Sequence, residues 1–195
     1  MTAVGFQGKW LSASRVRDAG LAAKPNSRIL VTDTQLAQML PNGASPISGV
    51  FSAAQPGAAQ FKDLAEAGVK TVIDLRSPTE PRDFDEPSTA RAAGLTYHNL
   101  PITPGALIDR NFDEFRRLLS DDQVRPVLVH CGSGSRVGAL LVPYLVLDEN
   151  LSRDDAIKIA RSVGLRGDDM ARSSLAYVDA QEAESAHKKA TATSG

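Results

Sequence analysis

The sequence predicts an α/β fold, a three-layer α/β/α arrangement around a mostly parallel central sheet. Three observations predict it. Between residues 47 and 180, short β-branched apolar runs alternate with stretches of helical periodicity, and Gly and Pro divide them. One such run, Val127-Leu128-Val129, passes through His130-Cys131 and four small residues into an apolar helical stretch. Finally, 195 residues suit one domain better than two, and 42% hydrophobic with 23% charged residues is an ordinary globular composition.

Residues 1–46 read as an N-terminal extension, with a possible strand at 28–32 (RILVT) and a helical turn at 34–40 (TQLAQML). Trp10 is read there as a packing anchor. The α/β domain itself spans 47–180. Its first strand is expected near Ser48-Gly49-Val50-Phe51-Ser52, and Gln55-Pro56 ends it. A helix then begins near Pro56, carries Phe61, Leu64 and Ala65 on one face, and closes at Gly68. Residues 69–75 (VKTVIDL) read as a buried strand, 76–86 as a charged, proline-punctuated loop, 89–93 as a helix ending at Gly94, and 95–100 as another strand. A loop turning at Pro104-Gly105 leads to a helix with Phe112, Phe115, Leu118 and Leu119 on one face, N-capped by Asn111 or Asp109. The helix after the small-residue loop spans 136–147, and Pro143 inside it predicts a kink or a wide first turn. Ser152 caps a helix over 153–163 that Gly164 closes, and a last helix covers 168–184. Residues 181–195 carry no apolar anchor and are expected to be a disordered tail.

Charge and composition exclude several classes of function. A net charge of −1 provides no electrostatic footprint for nucleic acid or an anionic membrane. One cysteine allows neither an internal disulfide nor a cysteine-rich metal site, and no metal or cofactor is expected. No apolar run approaches the ~20 residues of a membrane span. The residues after Met1, TAVGFQGKW, show no signal peptide, so the expected place is the cytoplasm.

The stretch PVLVHCGSGSRVG, residues 126–138, holds the chemistry. A strand, a tight glycine-rich loop and a helix N-terminus make an anion cradle, because successive N–H groups point inward and the helix dipole favours negative charge. Into it the sequence places Cys131 and Arg136. The field that attracts an anion also favours a thiolate, and a guanidinium can grip two oxygens of a phosphate at once. A buried core cysteine beside a surface arginine is the blander reading, and it leaves the cradle unexplained.

HCGSGSR resembles the signature loop of cysteine-dependent phosphatases of the dual-specificity and tyrosine-phosphatase type, in particular bacterial beta-lactamase hydrolase-like, phosphatase-like proteins. The resemblance runs from about Gly49 to Leu165 through GVFSAAQPGAAQFKDLAEAGVKTVIDLR, AGLTYHNLPI and VLVHCGSGSRVGALLVPYLV. It implies a cysteine-phosphatase-like fold and hydrolysis of phosphate monoesters through a phosphocysteine intermediate. Cys131 would be the nucleophile and Arg136 the oxyanion clamp, with the amides of Gly132, Ser133, Gly134, Ser135 and Arg136 around the phosphate. The substrate would be a phosphorylated protein or a small phosphate ester. His130 points the other way along the strand and is expected to orient the loop through hydrogen bonds.

The sequence departs from the resemblance in three places. Four residues separate cysteine from arginine where orthodox tyrosine and dual-specificity phosphatases have five. That spacing, with DLRSPTE at 74–80, also resembles rhodaneses, so a sulfurtransferase carrying persulfide on Cys131 is an alternative. Val137 replaces a Ser or Thr that helps the thiolate leave, and Ser133 or Ser135 would have to cover that role. The loop after 95–100 holds Ile102-Thr103-Pro104 where the leaving-group acid is expected. The candidate acids are Asp109 and Asp113 beyond it, and Asp83 or Asp85 before it. Asp109 is taken as the acid, with helix capping as its competing role. A missing acid would also suit a non-catalytic phosphate-binding module. Arg76 could line the pocket mouth or pair with Glu80.

Overall fold

The computed structural model describes residues 33–103 and 105–193. The expected strand at 28–32, Trp10 and Pro104 lie outside them. Five strands, β1 (Ala44–Ile47), β2 (Val50–Ala53), β3 (Thr71–Asp74), β4 (Thr96–Asn99) and β5 (Val127–His130), form one sheet in the order β1-β2-β5-β3-β4. β1 pairs antiparallel with β2 and every other pairing is parallel, so the expected mostly parallel α/β sheet is present. β5 lies at its centre, with Val127 opposite Val50 on one side and Thr71 on the other.

The strand alternation assigns the two faces. Val127 and Val129 pack with α4 (Asp109–Leu119), α5 (Ser135–Leu147), α6 (Arg153–Ser162) and α7 (Asp168–Thr193), whose Phe115, Leu140, Ala156 and Tyr177 are fully buried. Leu128 packs the other way, with α1 (Asp33–Gln38), α2 (Gln60–Glu66) and α3 (Glu86–Ala92), through Leu36, Phe61, Leu64 and Ala90. Among the described residues no helix is long and apolar enough to cross a membrane.

Several boundaries differ from expectation. β1 straddles the boundary placed at residue 46, because a half-buried edge strand containing Pro46 has no alternating pattern to announce it. Asp109 is the first residue of α4 rather than its cap. Ile108 occupies the N-cap position, and Asn111 Oδ1 accepts its N–H at 3.1 Å. α5 runs unbroken through Pro143. Proline has no N–H for the Ala139 carbonyl one turn back, and the buried Ser174 hydroxyl of α7 stands 2.8 Å from that oxygen instead. α7 extends to Thr193 through residues expected as a disordered tail. Those residues are rich in good helix formers, and ion pairs of Lys188 with Glu184 and of Arg153 with Glu182 and Asp179 support the exposed turns.

Candidate active site

Cys131 follows β5 directly and is 1% exposed, at the C-terminal edge of the sheet beside the strand where the order changes direction. The loop folds back over it, and Sγ accepts the Gly134 N–H at 3.1 Å. That turn demands glycine twice over. Gly134 has φ +94°, and a Cβ there would meet the Val163 carbonyl oxygen at 2.5 Å. The end of α6 thus braces the loop from behind. The link from α6 to α7 adds a second tie, from Arg166 N–H to Ser135 Oγ at 3.1 Å. Ser133 and Gly132 are exposed at the loop's outer edge.

Arg136 occupies the first turn of α5 and is 8% exposed. Its Nη1 and Nη2 donate to the two oxygens of Glu80 at 2.6 and 2.8 Å, a bidentate fork, and Nη1 also donates to Ile102 O at 2.9 Å. One edge of the guanidinium is therefore fixed. Nη2 also lies beside the cysteine loop, 3.6 Å from where a Cβ on Gly132 would stand. Glu80 and then the neighbouring Cys131 strengthen the positive charge, raising the Arg136 pKa. In return the hydrogen bonds from Arg136 lower the Glu80 carboxyl to about 2 from its usual 4.5. In the sequence Glu80 stands out only as one possible partner of Arg76, whose Nε is 3.8 Å away. Arg76 also lines the cleft in front of the loop, bonded to Gln55 and to the Pro81 carbonyl.

His130 faces the layer opposite Cys131 and is fully buried. Its expected hydrogen bonds are not made. Nε2 is 2.6 Å from Glu86 Oε1, a close contact without the angle of a hydrogen bond, and Nδ1 has no partner. Around it lies an ionic network that the sequence did not disclose. Arg82 Nη1 is 2.6 Å from Asp74 Oδ2 and 3.3 Å from Glu86 Oε2, Tyr97 donates to Asp74 at 2.8 Å, and Gln55 donates to Glu86 at 2.9 Å. Asp74, Glu86 and His130 could each turn one ligand atom toward a metal, with those atoms within 4.8 Å of one another. Arg82 already supplies the cation between the carboxylates, so the cluster reads as an ion network.

The candidate acids separate. Asp113 accepts from the Tyr177 hydroxyl, and Asp85 caps α3 by accepting from Ser88 N–H at 3.2 Å. Asp109 is exposed and is absent from the cleft beside the cysteine loop. That cleft, about 390 Å³, is bounded by Gly132, by Gln55 to Ala58, and by loop residues from Arg76 to Glu86 that include Asp83.

Comparison with known proteins shows the family. A family model described as Tc-R-P, polymorphic toxin system, DSP-PTPase phosphatase, matches residues 48–150, more than half of the chain. The chain belongs to that family. The matched span of this family member runs from before β2 through the signature loop and α5. A beta-lactamase hydrolase-like protein from Xylella fastidiosa is 30% identical over 114 residues, which are 56% of this chain and 26% of that protein. The chain thus spans about a quarter of the length of the curated relatives it matches. Two solved structures share the fold. A DUF442 phosphatase from Shewanella putrefaciens CN-32 superposes with TM-score 0.64 at 21% identity, over 75% of this chain and 97% of that one. The catalytic core of the PP-IP phosphatase SIW14 from S. cerevisiae gives 0.62 at 17% identity, over 77% and 93%.

Proposed function

We propose that this chain is a cysteine-dependent phosphatase, a phosphoric monoester hydrolase, that works through a phosphocysteine on Cys131. The observation that carries the reading is the pairing of a buried sulfur, already accepting a loop amide, with a guanidinium whose far edge Glu80 fixes. The thiolate attacks phosphorus, and the Arg136 edge and the amides from Gly132 to Arg136 take the three non-bridging oxygens, where charge is held in the transition state. Water then hydrolyses the S–P bond and frees inorganic phosphate. Ser133, exposed and without a hydrogen bond among the described residues, is the hydroxyl available to the departing sulfur; Ser135 is engaged with Arg166. The His130–Glu86 contact holds the strand end in place from the opposite layer. The substrate is a phosphorylated protein side chain or a small phosphate ester, and the working unit is residues 47–180.

Cys131→Ser should abolish hydrolysis of aryl phosphate and leave vanadate or phosphate binding largely intact. Arg136→Lys should damage both, since an ammonium cannot make the two-point contact. Turnover retained in Cys131→Ser would contradict the mechanism. The four-residue loop favours one rival reading, a sulfurtransferase whose compact nest fits a single sulfur. Thiosulfate:cyanide turnover exceeding phosphate turnover would select it.

A further inference from the structure

We propose that Asp83 is the general acid and base of the hydrolysis, supplied by the loop between β3 and α3. The proposal rests on the phosphocysteine reading above. Three carboxylates border the cleft in front of the cysteine loop: Glu80, Asp83 and Glu86. Glu80 is committed to both nitrogens of Arg136 and held as the anion, its pKa lowered to about 2, so it has no proton to give. Glu86 is 1% exposed and engaged with His130, Arg82 and Gln55. Asp83 is exposed and, among the described residues, has neither hydrogen bond nor ion pair.

The geometry of displacement points to the same side. A phosphoryl group seated over Cys131 must send its leaving oxygen away from the sulfur, in line. Away from the sulfur means out of the loop, toward the cleft that Gly132 and Asp83 share. The basic side chains of that cleft are already paired: Arg76 with Gln55 and Pro81 O, Arg82 with Asp74 and Glu86. Asp83 is thus the bordering group free to exchange a proton with the ligand. The loop that carries it is anchored at both ends, by Glu80 on Arg136 and by Glu86 beside His130. One segment therefore fixes the clamp, contacts the strand end and presents the acid.

The steps balance. As the cysteine thiolate forms the S–P bond, the ester P–O bond breaks and the leaving oxygen takes the Asp83 proton, departing as an alcohol or phenol. The resulting Asp83 carboxylate then takes a proton from the water that attacks phosphorus. The S–P bond breaks, phosphate leaves, the thiolate returns and the Asp83 carboxyl is restored.

The test compares wild type, Asp83→Asn and Asp109→Asn on phenyl phosphate and on dinitrophenyl phosphate, whose leaving group needs no proton. Asp83→Asn should lower kcat on phenyl phosphate by about 10²–10⁴-fold, the usual worth of a positioned acid. On dinitrophenyl phosphate the fall should be about 10-fold or less. A loss of equal size on both esters, or no loss on either, would overturn the proposal while leaving the phosphatase intact. So would the same leaving-group dependence appearing in Asp109→Asn instead. Wild-type protein that turns over neither ester would remove the phosphocysteine reading, and this proposal with it.

Discussion

His130 and Cys131 are consecutive residues of one chain, yet they enter opposite layers of different physical character. The Cys131 side is apolar: the sulfur belongs to the core cluster that holds Val129, Leu140, Phe112 and Phe115, and it accepts a backbone amide. The His130 side holds two buried carboxylates, an arginine, a tyrosine hydroxyl and a glutamine. The difference shows how the two jobs of the strand end are divided. Packing without side-chain polarity keeps the sulfur where amides and Arg136 reach it. The ionic network ties β3, β4 and the 76–86 loop to the strand just before it.

The contrast makes two stability predictions of different kind. Phe115→Ala on the apolar side should cost about 3–5 kcal/mol, transfer term and cavity together, with little dependence on its neighbours' charge. Arg82→Met on the ionic side should cost less than the ~3–5 kcal/mol of breaking a fully buried pair, since the Arg82 side chain keeps 20% of its exposure. Adding Asp74→Asn should recover part of that loss, because one uncompensated carboxylate is removed. Denaturant melts of the three variants measure this. Simple addition of the Arg82 and Asp74 effects would mean that the network is not a unit.

A smaller effect concerns the loop that joins the two sides. Glu80 has its folded carboxyl near 2 against a usual 4.5. Its contribution to stability is therefore complete above about pH 4.5 and lost as pH falls toward 2. Glu80→Gln should lower the denaturation midpoint at neutral pH and show a shallower decline than wild type across that interval. The exposure of Glu80 keeps the effect modest. Parallel wild-type and variant curves would remove Glu80 as the brace of Arg136.

The strand–loop–helix centre was legible because each part is local. β-branched residues, glycines at a tight turn and an apolar helix occur in chain order, and the parallel sheet follows from their alternation. What escaped was long-range or weakly patterned. Glu80 and Arg136 are 56 residues apart in sequence, so their fork has no local signature. Its one hint was the D-x-R-x-x-x-E spacing, which also fits the Arg76–Glu80 pair. The carboxylates beside His130, Asp74 and Glu86, come from two other segments. β1 carries no alternation and a proline, and the end of α7 is helical by propensity and ion pairs without an apolar face. Asp109 satisfied a rule about distance along the chain, while the cleft is built from a different loop.

The account stands or falls on the sulfur. Wild-type protein mixed with an aryl phosphate and quenched in acid within the first turnovers, then digested and analysed by mass spectrometry, measures it directly. The account predicts one phosphoryl group on the peptide containing Cys131, absent from Cys131→Ser and discharged as turnover proceeds. A phosphoryl group on any other residue, or multiple turnovers with none on Cys131 at any time, would contradict it.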